Sequence, residues 1–177
     1  MQEKGLLAAA LVVSENKLRI SPNPKDILIH LGQFLEAVPD ADHFVKQILN
    51  HPYLQEILFK VFGHSDYLTQ ILIQNPSYIL SLGSPENLEK PKLFSEFKRE
   101  IAAIIFKPSD LEGALNALRQ YRNKEYLRIG LRDIYLQQEL QKITAEISGM
   151  SAAHKASTIS AVCPADSPML GLMMGGP

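Results

Sequence analysis

Apolar residues recur at spacings of three and four through most of this chain, and prolines and small polar residues interrupt them. That spacing puts them on one side of an α-helix. Asn23 can cap a helix opening with Pro24, since the first turn makes no use of the N–H that proline lacks. Ile27, Leu28, Leu31, Phe34, Leu35 and Val38 form its stripe, and Pro39 ends it. Asp40 or Asp42 can cap the next helix, which runs through Phe44, Val45, Ile48 and Leu49. Pro52 opens a third, with Leu54, Ile57, Leu58, Val61 and Phe62, and Gly63 has the C-cap role. Ser65 caps a fourth, through Tyr67, Leu68, Ile71 and Leu72, which stops before Pro76; a short piece over 77–82 follows. The stretch GSPENLEKP, 83–91, reads as a linker. Leu93, Phe94, Phe97, Ile101, Ile104 and Ile105 mark a helix over 91–106, and Ser109 with Glu112 makes a capping box that starts another at Asp110.

No segment alternates with period two between hairpin dipeptides, so the pattern predicts an all-α fold with little or no sheet. Short connections predict stacked antiparallel helical hairpins, each hiding a stripe it cannot hide alone. They are expected to form one helical domain over 1–156. The Ser-, Pro-, Gly- and Met-rich stretch 157–177 lacks a helical period and is expected to be an unstructured tail.

The segment 110–150 is the long Arg-rich helix of this set. Projected at 100° per residue, Leu111, Leu115, Leu118, Ile129, Leu136, Leu140, Ile143 and Ile147 share a stripe. Arg122, Glu125, Arg132 and Asp133 fall on the same side. Charges on a buried stripe need partners, and Glu125 stands three residues from both Arg122 and Arg128. An unbroken helix of that length would run about 60 Å. A break near Asp133, with a fresh helix starting near Leu136, is therefore expected.

Composition narrows the possibilities. Apolar residues at 46% and charged residues at 21% describe a globular chain rather than a disordered one. A formal net charge of -1 gives no electrostatic reason to expect nucleic acid or an anionic membrane as partner. The single cysteine, Cys163, excludes an internal disulfide and a cysteine-rich zinc site, which fits a reducing cytoplasm. The apolar run Leu6 to Val13 is too short to span a membrane and is expected to be a core helix.

The stretch LRQYRNKEYLRIGLRD, 118–133, resembles an arginine-rich helix of the glutamine synthetase adenylyltransferases, which reads roughly L-R-x-x-R-x-x-E-x-x-R-I-x-x-R-D. Arg119, Arg122, Glu125, Arg128, Ile129, Arg132 and Asp133 match it in spacing. Upstream, LFKVFGHSDYLTQILIQNPSYIL (58–80) is similar to an early helical hairpin of that family. Downstream, LQKITAEISGMSAAHKAS is similar to the helix that leads into its catalytic domain. The resemblance covers about residues 45–157 and implies the start of the first, deadenylylating half of a bifunctional enzyme. One nucleotidyltransferase domain of such an enzyme removes AMP from a glutamine synthetase tyrosine by phosphorolysis. A second attaches AMP from ATP, and the PII signal protein sets the balance. The cofactors implied for the family are Mg²⁺ and ATP. The partners implied are glutamine synthetase or a companion nucleotidyltransferase domain.

The family's chemistry needs a Gly-rich turn and then Ser-Asp-x-Asp, because convergent carboxylates must hold Mg²⁺ against the phosphates. After Asp133 this chain has one Asp, Asp166, and two Glu, Glu139 and Glu146. No catalytic residue and no cofactor are therefore expected in this chain, and a truncated or split gene is the expected cause. Arg122, Glu125, Arg128, Arg132 and Asp133 are candidates for a structural or interface cluster. Asp40-Ala41-Asp42 reads as a helix cap. His43 and His51 lie eight apart and His30, His64 and His154 stand alone, so no metal site is expected. A stand-alone helical interaction module without nucleotide chemistry is the alternative reading.

Overall fold

The computed structural model describes residues 23–82, 86–105 and 111–162. Among them the chain is all-α: α1 Pro24–Ala37, α2 Ala41–Leu49, α3 Pro52–His64, α4 Asp66–Gln74, α5 Tyr78–Ser81, α6 Glu86–Glu89, α7 Phe94–Ile105, α8 Leu111–Leu136 and α9 Leu140–Val162. The apolar run near the N-terminus, the Ser109 half of the capping box, Cys163 and residues 163–177 lie outside the described residues.

The helix boundaries follow local chemistry. Asp40 caps α2 by accepting from the His43 N–H at 3.0 Å, and Ser65 caps α4 through the Leu68 N–H at 3.3 Å. Pro24 and Pro52 stand in the first turns of α1 and α3, as expected. Gly63 is not a C-cap: α3 continues to His64, and Gly63 is buried inside it. A Cβ at Gly63 would meet Ile27 Cδ1 at 3.1 Å, so the glycine permits α1 to approach. The chain does break after the Arg-rich segment, but at Gln137 rather than near Asp133. Gln137 takes a left-handed φ of 50°, its N–H reaches the Asp133 carbonyl at 3.1 Å, and the next helix starts at Leu140.

The described helices divide into two compact units. The first comprises the described part of 1–90 with Tyr126–Gln138; the second comprises the described part of 91–125 and 139–177. In the first unit α1 packs on α3 and α4, while α2 and α4 both pack on α3. Phe34 stands with its ring 5.6 Å from those of Phe44 and Phe62. Ile57, Val61, Leu72, Ile79, Leu127 and Leu131 complete this core with no exposed surface. Burying each such side chain contributes about 1.5–3 kcal/mol. Leu88 of α6 is also fully buried, although it comes from the stretch that reads as a linker. In the second unit α7 packs on α9, around Phe97, Ile101, Met150 and Ala153. Helix α9 continues to Val162, and Ser157 on it is buried.

Candidate functional site

The second unit contains a knot of charged side chains around Lys92, at the foot of α7. Lys92 Nζ donates to Glu100 Oε2 and to Glu125 Oε1, each at 2.7 Å. The Tyr121 hydroxyl donates to the same Glu100 oxygen at 2.6 Å. The Lys92 backbone N–H donates to Glu146 Oε1 at 2.8 Å. The ammonium also lies 5.9 Å from the Phe97 ring centre and 5.8 Å from that of Tyr121. One residue thus joins α7, the first part of α8, and α9.

Burial gives these contacts their weight. The Glu125 side chain is 4% exposed, against 25% for Lys92 and 33% for Glu100. A buried carboxylate costs several kcal/mol unless it is paired, and charge-assisted bonds of this length are the strong kind. Nearby, burial and then the Arg122 guanidinium hold the His154 imidazole below its usual pKa, which favours the neutral ring.

The structure places the five sequence-predicted residues differently from one another. Glu125 is buried in the knot, with Lys92 as a partner that sequence spacing did not nominate. Arg122 is exposed, not on a buried stripe. Arg128 and Arg132 are buried, at 6% and 1% exposure, within the first unit. Asp133 is exposed. Lys92, Glu100 and Glu146 were missed; Glu100 and Glu146 come from helices 46 residues apart, and only the fold brings them to one lysine.

The knot does not suit a divalent ion. Two of its carboxylates, Glu100 and Glu125, meet on an ammonium, which already holds the place a cation would take, and no group of three or more His, Cys, Asp or Glu among the described residues could hold a metal. The first unit has an apolar cavity lined by Ile27, Leu31, Phe34, Ile48, Gln55 and Phe62. Its one polar group, the Gln55 amide, donates to the Ile48 carbonyl at 3.2 Å. No described helix is long and apolar enough to cross a membrane.

These features define a helical module braced by the ion pairs of Lys92 with Glu100 and Glu125. Comparison gives the family: the model for glutamate-ammonia ligase adenylyltransferase matches residues 55–165, and this chain belongs to that family. It is similar to the bifunctional glutamine synthetase adenylyltransferase/adenylyl-removing enzyme of Shewanella woodyi, 30% identical over 100 residues, covering 55% of this chain and 10% of that protein. The enzyme of the same name from Shewanella loihica is 29% identical over 126 residues, 70% of this chain and 12% of that protein. That from Mycobacterium leprae is 24% identical over 151 residues, 83% and 15%. The chain therefore spans a small part of the length of each relative. No solved structure matches it.

Proposed function

We propose that this chain is a helical, contact-making part of a glutamine synthetase adenylyltransferase/adenylyl-removing system and moves no adenylyl group unaided. It works by touching a nucleotidyltransferase domain or glutamine synthetase itself, in the cytoplasm. Mg²⁺ and ATP belong to the nucleotidyltransferase domain. The observation that carries the reading is the use of acids inside the family-matched region. Glu100, Glu125 and Glu146 are turned onto Lys92, and hard-cation phosphoryl transfer needs convergent carboxylates available to the metal.

The test pairs an activity measurement with a binding measurement. The purified chain is given adenylylated glutamine synthetase with phosphate and Mg²⁺, and separately unmodified glutamine synthetase with ATP and Mg²⁺. No removal or attachment of AMP is expected. Calorimetry with glutamine synthetase, and with a nucleotidyltransferase domain of the same family, is expected to show saturable binding to at least one. Turnover by the chain alone, or binding to neither protein, overturns the proposal.

A further inference from the structure

Helix α1 buries one side and leaves the neighbouring side uncovered. Ile27 and Phe34 face the core of the first unit. At 100° per residue, Leu31, Leu35, Leu28 and Gly32 follow in that order around the helix, within about 140° of Ile27. Leu31 and Leu35 are half-buried and line the apolar cavity, together with Val45 and Ile48 of α2 and Phe59 of α3. The cavity has a volume of about 40 Å³, and the Gln55 amide in its wall already donates to Ile48. Beside it, Leu28 is 43% exposed. Glycine inside a helix is less favourable than alanine, yet a Cβ at Gly32 would meet nothing within 4 Å among the described residues. An apolar cavity, an exposed leucine and an unexplained glycine therefore lie along one strip of α1. Apolar walls offer water no hydrogen-bond partner, and they forfeit dispersion contacts until an apolar group enters.

We propose that this strip is a docking groove for the chain's own residues 6–13, the apolar run LLAAALVV, which lies outside the described residues. The length of chain between them allows it. Nine residues, 14–22, join the run to Asn23 and can reach about 30 Å, whereas Asn23 to Leu35 is about 18 Å of helix. The run carries no charge, as an apolar groove demands. Its centre, Ala8 to Ala10, is small, and Gly32 lets a neighbour approach the α1 backbone closely. Leu6, Leu7, Leu11, Val12 and Val13 supply larger apolar side chains for the cavity and for Leu28. Tethering favours this occupant over a free one, because a short linker holds it at an effective concentration of about millimolar. The linker also sets direction: Val13 lies toward the start of α1, and Leu6 toward Leu35.

Paramagnetic relaxation in the full chain tests this. A nitroxide is attached at Glu3→Cys, beyond the far end of the run, in a Cys163→Ser background. It is expected to broaden the backbone amides of Leu35, Val45 and Phe59 most. Gly32→Leu is expected to expel the run, so that this broadening is lost and the melting temperature falls. On an uncovered face leucine, the better helix former, raises the melting temperature by about 2–4 °C, so the sign of the shift decides between the two. A rise with Gly32→Leu overturns the proposal. So does broadening in the Gly32 parent that is absent or centred away from the groove. Broadening of the groove only when labelled and unlabelled chains are mixed puts a second copy there and overturns it as well.

Discussion

Replacing Lys92 by methionine removes the ammonium and keeps most of the side chain's length. Glu100 Oε2 and Glu125 Oε1, each 2.7 Å from the ammonium nitrogen, then face one another without it. Removing one partner of a fully buried pair costs about 3–5 kcal/mol. Here Glu125 is 4% exposed but Glu100 is 33% exposed and can turn toward water. That places the loss at about 2–4 kcal/mol, including about 0.5–1 kcal/mol for the ammonium over the Phe97 and Tyr121 rings. The Lys92 N–H still donates to Glu146, so the foot of α7 keeps one of its ties. At about 2–4 °C per kcal/mol for a chain of this size, the melting temperature should fall by about 4–16 °C. Urea unfolding followed by circular dichroism gives the free energy directly. The control is Lys92→Met/Glu125→Gln, which removes the stranded charge along with its partner and should recover at least half of the loss. A Lys92→Met chain within about 0.5 kcal/mol of wild type would refute the reasoning, as would a double variant as unstable as the sum of its parts.

Three further outcomes follow from the same geometry. His154 has a lowered folded pKa, from burial and then Arg122, so below about pH 6.5 the unfolded chain takes up a proton that the folded ring resists. Stability should fall as pH drops through that window, and His154→Gln should flatten the fall in melts at pH 7.5 and 5.5. The Tyr53 hydroxyl is buried with no hydrogen-bond partner among the described residues, and burial, Tyr135, Glu56 and Glu89 push its pKa to about 12. Tyr53→Phe should cost less than about 0.5 kcal/mol near neutrality. It should also remove part of the stability that wild type loses between pH 10 and about 12, as the unfolded phenol ionises first. Gly130→Ala puts a Cβ 2.6 Å from Leu68 Cδ1 and should destabilise by about 1–3 kcal/mol, whereas Gly149→Ala finds its nearest atom, Phe94 Cα, at 4.0 Å. The second change should stabilise by up to about 1 kcal/mol through helix propensity, and equal melting temperatures for the two variants would contradict the packing.

The all-α class and most helix starts were legible because caps and prolines act over a few residues. Asp40, Ser65, Pro24 and Pro52 needed nothing but their neighbours. The end of α8 was not: a left-handed residue there is usually glycine, and Gln137 left no such sign. Projection of one stripe along 110–150 found Ile129 and the buried Glu125 and Arg132, yet missed Leu127 and Leu131, which are also fully buried. The helix passes from one compact unit to the other, so a single buried side does not describe it. Leu88 and Lys92 were hidden in or beside a stretch with linker chemistry. Lys92 is 33 residues from Glu125, and no periodicity reports a pairing of that span.

The route of the chain has a consequence for anyone who would dissect it. It leaves the first unit after Lys90, returns at Tyr126 and departs again after Gln138, all within residues that α8 links without a loop at the second crossing. No single cut, whether by protease or by an early stop codon, can release either half intact. A polypeptide ending at 90 would lack Leu127 and Leu131 and open the cluster they fill, so piecewise expression calls for grafting the 126–138 segment back rather than simple shortening.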